Sequence, residues 1–233
     1  MAKSKIPAAL DSTDLIDADD DDPGQPQSRS PRGTATALPW ITQTRPYAVL
    51  LLITSLVAFI ASFALVLDKL QLLENPNAKL GCDVNAFVSC GAVMGTWQAS
   101  LFGFPNPYIG IVAFGIVFAL GMSLLAGAKF ARWYWVCFQI GVTLGMVFIV
   151  WLWSQALYSI TILCPYCMIV WAMMIPLFIW TTIRNLVHGV IPAPAGLVRA
   201  LSTWGWTIVV LLYLAAIATI FFQFINLFVR STA

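Results

Sequence analysis

Five apolar segments dominate the chain, at about Tyr47 to Val66, Tyr108 to Ala128, Trp133 to Gln155, Leu163 to Ile183 and Trp204 to Phe228. At about 1.5 Å per helical residue, each is long enough to cross a hydrocarbon core of about 30 Å. None alternates apolar and polar residues over about ten positions, as a strand of a membrane barrel would. The segments therefore predict five transmembrane helices and an all-α membrane protein. Composition agrees, since 60% of the 233 residues are hydrophobic and only 9% are charged, against roughly a quarter charged in a soluble domain. A net charge of +2 without a basic stripe leaves no electrostatic footprint for nucleic acid, and the expected surroundings are a lipid bilayer.

Charge is spread unevenly. Residues 1–44 hold Asp11, Asp14, Asp17 and the run Asp19 to Asp22, together with Pro23, Gly24, Pro26, Pro31 and Gly33. So polar a stretch cannot bury enough apolar area to offset ordering entropy and is expected to be a disordered, solvated acidic tail. No apolar signal region lies near the start, so the first helix reads as an uncleaved anchor. Lys3, Lys5, Arg29, Arg32 and Arg45 precede that helix, Lys129 and Arg132 link the second and third, and Arg184 and Arg199 flank the connection to the fifth. With five spans these groups share one side and make up nine of the 12 Lys and Arg residues. The positive-inside rule then places that side, and the N-terminus, in the cytoplasm. The other side receives a long connection over residues 68–107, a short turn around Tyr158 to Ile162 and the C-terminal residues. Trp40, Trp97, Trp133, Trp180 and Trp204, near span ends, fit an interfacial belt.

Four cysteines fall on that outer side in two pairs: Cys82 and Cys90 in the long connection, Cys164 and Cys167 at the start of the fourth helix. Disulfides persist in such an oxidising compartment. With Cys164 near the N-cap, Pro165 takes N1, where its missing N–H costs nothing, and Cys167 takes N3. Unpaired N–H groups and the positive end of the helix dipole stabilise a thiolate there. A structural bridge between residues three apart closes too short a loop to constrain the unfolded chain much, so Cys-Pro-Tyr-Cys reads as a redox pair. By spacing alone, Cys82 and Cys90 read first as a structural staple of the loop. Zinc held by all four sulfurs is disfavoured, because a tetrathiolate leaves two negative charges and no neighbouring Lys or Arg is evident; no metal is expected. Cys137, beside Val136 and Phe138, reads as a small core hydrophobe. Asp83 reads as a solvated loop charge, and Asn106, between two prolines, as a turn residue or a ligand contact. Met94, Leu101, Phe102 and Phe104 read equally as interfacial or as packing residues.

Oxidising a dithiol requires an acceptor for two electrons. The chain has no Rossmann glycine fingerprint and no haem ligand set, and its single histidine, His188, is on the cytoplasmic side. A lipid-soluble acceptor within the helices meets the need, in an apolar pocket oriented by a few polar groups such as Asn106.

The run Cys82-Asp83-Val84-Asn85-Ala86-Phe87-Val88-Ser89-Cys90, followed by Gly91-Ala92-Val93-Met94-Gly95-Thr96-Trp97, then Phe104-Pro105-Asn106-Pro107, and finally Cys164-Pro165-Tyr166-Cys167, resembles the vitamin K epoxide reductase family. The likeness is greatest to its bacterial members and covers about residues 47–183. It implies a four-helix bundle around a quinone, menaquinone or ubiquinone, within residues 45–185 and capped by residues 68–107. Residues 186–233 then add a cytoplasmic connection and a fifth helix that the four-helix core lacks. The resemblance makes Cys82, Cys90, Cys164 and Cys167 catalytic. It further implies that a secreted or membrane-anchored thioredoxin-like oxidase gives electrons to Cys82 and Cys90, which pass them on through a Cys90–Cys164 mixed disulfide, with Cys167 facing the quinone. Asn106 stands where the family has an asparagine that hydrogen-bonds a quinone oxygen, and Thr96 where a hydroxyl-bearing residue is often found. Trp171, one turn beyond Cys167, stands where animal members have a tyrosine, so the indole would stack where a hydroxyl is missing. The implied activity is that of a membrane thiol oxidase in a bacterial cytoplasmic (inner) membrane, its site facing the periplasm or cell exterior. Two rival readings are a quinone or quinone-epoxide reductase serving cofactor recycling and a non-enzymatic scaffold with passive disulfides.

Overall fold

The computed structural model describes residues 39–85 and 87–232. The acidic run and most of the expected disordered tail lie outside them; Trp40–Thr42 form a helical turn in which Ile41 and Thr42 are buried. Six α-helices follow among the described residues: α1 Thr44–Glu74, α2 Cys90–Met94, α3 Pro107–Leu125, α4 Arg132–Gln155, α5 Pro165–Val187 and α6 Ala195–Thr232. Among the described residues, α1, α3, α4, α5 and α6 are long and apolar enough to cross a membrane, so the protein is an all-α, multi-pass membrane protein with five spans. α3 and α5 each begin with proline at the first helical position, where the fixed φ favours the helix and no donor is lost.

Two boundaries differ from the hydropathy reading. α1 continues past Val66 to Glu74, so Asp68 and Lys69 lie in its last turns and not in the cap. Lys69 there donates to the Met94 carbonyl at 3.1 Å. α4 does not end in a simple turn: Ala156–Ile160 form a π-helical turn, after which Thr161 takes a left-handed conformation, φ 57°. Such π turns concentrate at functional sites.

α1 is central, packing on α3 and α5; α4 packs on α5, and α6 lies along the outside of α5. Without a hydrophobic driving force between helices in lipid, close approach depends on small residues. At Gly121 of α3 a Cβ would come 3.0 Å from Leu52 of α1, and at Gly205 of α6 one would come 2.9 Å from Trp180 and Ile183 of α5. Trp180 is 2% exposed and its ring lies 5.2 Å from that of Trp206. It therefore packs α5 on α6, a correction to its place in the belt; Trp40, Trp97, Trp133 and Trp204 are exposed.

α6 also repairs two breaks in the backbone. Pro176, inside α5, has no N–H to offer the Ala172 carbonyl four residues earlier. Tyr213 of α6 donates its hydroxyl to that carbonyl at 2.6 Å, and Gln223 donates to the Leu157 carbonyl in the π turn at 3.2 Å. In a bilayer an unsatisfied carbonyl has no water to turn to. Tyr213→Phe is expected to lower stability by about 1 kcal/mol, read as a lower Tm of the purified protein in detergent. An unchanged Tm would show the carbonyl satisfied by another route.

Candidate functional site

The cap over one end of the bundle is organised by Asp83. One carboxylate oxygen accepts from Ser89 Oγ at 2.7 Å and from the Gly91 N–H at 3.1 Å, and the other accepts from the Leu80 N–H at 3.2 Å. Ser89 Oγ in turn accepts from the Ala92 N–H and caps α2. Desolvation works against ionisation of Asp83, but the hydrogen bonds from Ser89 and from the Gly91, Leu80 and Cys90 backbone prevail and hold its carboxyl below the usual range. Asp83 is thus the hub of the cap, not a merely solvated loop charge.

This cap holds Cys82 and Cys90 as a disulfide, with Cα atoms 5.7 Å apart. Asp68 of α1 brings a carboxylate oxygen to 3.3 Å from Cys82 Sγ. Asp68, Cys82 and Cys90 form a potential ligand cluster, yet with both sulfurs joined only the carboxylate is an anionic ligand. The disulfide likewise removes two of the four thiolates that a zinc tetrathiolate would need.

A short backbone pairing then fixes the cap against α5. Ser89 N–H donates to the Leu163 carbonyl at 3.0 Å and Leu163 N–H to the Phe87 carbonyl at 2.8 Å, a parallel bridge centred on Val88 and Leu163. Phe87 also meets Phe224 of α6 edge to face. One residue after Leu163, Cys164 is the N-cap of α5, with Pro165 at N1 and Cys167 at N3, the register expected from the spacing. Cys164 is buried, and its Sγ lies 3.5 Å from Cys90 Sγ. Hydrogen bonding from the Cys167 thiol, aided by the Cys167 and Tyr166 N–H groups, holds the Cys164 thiol below the ordinary range; burial and the Asp68 charge act in the opposite direction.

Beneath the sulfurs lies a cavity of about 520 Å³, a size typical of small-molecule sites. Its walls are almost wholly apolar and come from α1, α3, α4, α5 and the cap. Cys164, Cys167, Asn106 and Trp171 line it. α3 rests on α1 and α4 on α5, while α3 and α4 make little contact with each other. At that gap the cavity is lined by Ile116 and Cys137, both exposed. Cys137 is therefore no core hydrophobe but an exposed thiol beside the cavity, because α4 turns this face away from α5.

The other expected residues fall as follows. Asn106 is both turn and lining residue: Nδ2 donates to the Gln98 carbonyl at 2.7 Å and Oδ1 accepts from the Leu101 N–H at 3.2 Å. Thr96 is absent from the lining, and its hydroxyl donates to the Val93 carbonyl at 2.7 Å. Met94 is buried under the cap, whereas Leu101, Phe102 and Phe104 are exposed. Sequence reasoning missed Lys69 and Gln98, which also line the cavity. Gln98 is buried and reaches toward Gln155 and Ser159, each at 3.4 Å.

A model described as the vitamin K epoxide reductase family matches residues 49–182, more than half of the chain, from α1 to near the end of α5. No curated protein matches the chain.

Proposed function

Because the chain belongs to the vitamin K epoxide reductase family, whose members are oxidoreductases working with quinones, we propose that it is a membrane thiol oxidase that forms disulfides outside the cytoplasm. The reading rests above all on the 3.5 Å between Cys90 and Cys164 sulfurs, which joins a loop disulfide to a thiol pair bordering an apolar cavity. The protein lies in a bacterial cytoplasmic membrane with its N-terminus inside and its cysteines on the periplasmic or outer face. A secreted or membrane-anchored thioredoxin-like protein is the electron donor, and residues 45–185 form the catalytic core.

In the proposed sequence a partner thiolate attacks the Cys82–Cys90 disulfide, leaving the partner oxidised and the loop pair reduced. Cys90 thiolate then attacks Cys164 of a Cys164–Cys167 disulfide; the Cys90–Cys164 bond forms and Cys167 leaves as a thiolate. Cys82 attacks Cys90, restores the loop disulfide and releases Cys164, whose hydrogen bonds make it a good leaving group. Asp68, 3.3 Å from Cys82, accepts the Cys82 proton in that attack. A closed loop disulfide beside two free thiols corresponds to the end of this transfer. Cys164 and Cys167, both lining the cavity, would close their disulfide by giving up two electrons and two protons, for which a quinone held there would supply the acceptor. The apolar walls would hold its ring and tail, with Trp171 offering an indole to stack and Asn106 the second hydrogen of its Nδ2 to orient the ring. Thr96 supports Val93, itself part of the wall.

Purified protein given a reduced thioredoxin-like partner is expected to bleach an added quinone, one partner disulfide appearing for each quinone consumed. In a single turnover that starts from reduced Cys164 and Cys167, quinone bleaching should speed up with pH as Cys164 ionises and level off below the ordinary thiol pKa of about 8.5, since its thiol is held low. Quinone bleaching without partner disulfides, or none at all, would overturn the proposal. Cells lacking the protein should lose secreted disulfides; loss of reduced quinone alone would favour the recycling role.

A further inference from the structure

At the end of the bundle opposite the cysteines, Arg184 lies in the last turn of α5, 8% exposed. Its guanidinium is stacked on two rings, 4.8 Å from the Tyr47 centroid and 3.7 Å from that of Trp135. Stacking engages the faces of a guanidinium, but its N–H donors point outward in the plane and need acceptors. Its Nε is buried with no hydrogen-bond partner. Among the described residues the acidic side chains are Asp68, Glu74 and Asp83, all near the cap. A buried charge with no counter-charge is strongly unfavourable, so this arrangement calls for an anion.

Arg184 lines a cavity of about 270 Å³ together with Arg132, His188 and Phe130. Arg132, at the start of α4, uses Nε and Nη2 on the Val190 carbonyl, at 3.2 and 2.9 Å, which leaves the Nη1 donors uncommitted. His188 Nε2 lies 3.1 Å from the Thr42 carbonyl, which ties the cavity wall to the helical turn that leads into α1. Three basic side chains thus surround a small space flanked by aromatic rings at the end of transmembrane helices, the chemistry that recognises a lipid phosphate.

We propose that this cavity is a binding site for the phosphate of an anionic membrane lipid, held by Arg184 and Arg132, that clamps α1, α4 and α5 together. The site is separate from the cysteine cavity and does not depend on the redox reading. The test uses the full chain, stripped of lipid in neutral detergent, with phosphatidylglycerol, phosphatidylcholine of the same acyl chains, or inorganic phosphate added. Phosphatidylglycerol is expected to raise Tm saturably at a concentration at least about tenfold lower than phosphatidylcholine. Arg132→Gln should move that half-saturation upward, and Arg184→Gln, where it folds, should abolish the preference. An equal response to both lipids, or a preference unchanged in Arg132→Gln and Arg184→Gln, would overturn the site. Inorganic phosphate matching and competing with phosphatidylglycerol would retain the anion site but overturn the lipid as its source. A lipid preference seen only after Asp19, Asp20, Asp21 and Asp22 are changed to Asn would make the chain's own acidic run the occupant and overturn the lipid assignment.

Discussion

Replacing Cys164 by serine is expected to stop quinone-dependent oxidation of a dithiol partner, with a loss on the order of a thousandfold or more. Cys164 is the thiol against Cys90, buried in the cap cluster with Cys82, Cys90 and Cys167 packed around it. A serine hydroxyl forms no bond to sulfur and ionises far too weakly to substitute. Cys167→Ser should lose turnover to a similar degree for a different reason: Cys164 remains able to exchange with Cys90, but no second thiol exists to close its disulfide. Both variants are read by bleaching of added quinone in the presence of reduced partner. Full activity in either one would remove the Cys-Pro-Tyr-Cys pair from the electron path.

The second large effect concerns the order of the relay. Combining Cys82→Ala with Cys167→Ala removes both thiols that resolve a mixed disulfide, so exposure to a mild thiol oxidant should convert most of the protein to a stable Cys90–Cys164 linkage. The two sulfurs stand 3.5 Å apart and need to close to about 2.05 Å, a movement within the reach of side-chain rotation. Peptide mapping under non-reducing conditions should recover the two peptides joined and lose them on reduction. Mapping that finds Cys90 and Cys164 still free would count against the proposed order, whatever the activity of the single variants.

The sequence is most legible where the governing physics is local. Each span is marked by its own run of apolar residues, and all five emerge as helices. The register of Cys164, Pro165 and Cys167 follows from proline's fitness for the first helical turn. Legibility falls where partners lie far apart along the chain. Hydropathy misses the continuation of α1 to Glu74, which is carried by the helix-favouring run 67–74 and the stop at Asn75 and Pro76, while nothing local foretells that Lys69 meets the Met94 carbonyl 25 residues later. Asp83 looks like any loop carboxylate until Ser89 and Gly91 fold back on it. Trp180 and Cys137 trade their expected places, one buried and one exposed, because hydropathy locates a span but not its rotation about its own axis.

α6 illustrates the same division. Its apolar run predicts a span and nothing more. Its contribution to the core comes from Tyr213 reaching the carbonyl that Pro176 leaves free and from Gln223 reaching the π turn, neither of which has a sequence periodicity of its own.

What the sequence determined by itself was a set of five membrane helices, the pairing of four cysteines toward one end, and a helix start that favours a thiolate. These follow from hydrophobicity and from backbone donors within a single turn, properties carried by neighbouring residues. Only the tertiary structure brought Cys90 and Cys164, 74 residues apart, into contact over an apolar cavity. That juxtaposition depends on two backbone hydrogen bonds between the cap and Leu163 and on helices packed around a space, and no local preference encodes either.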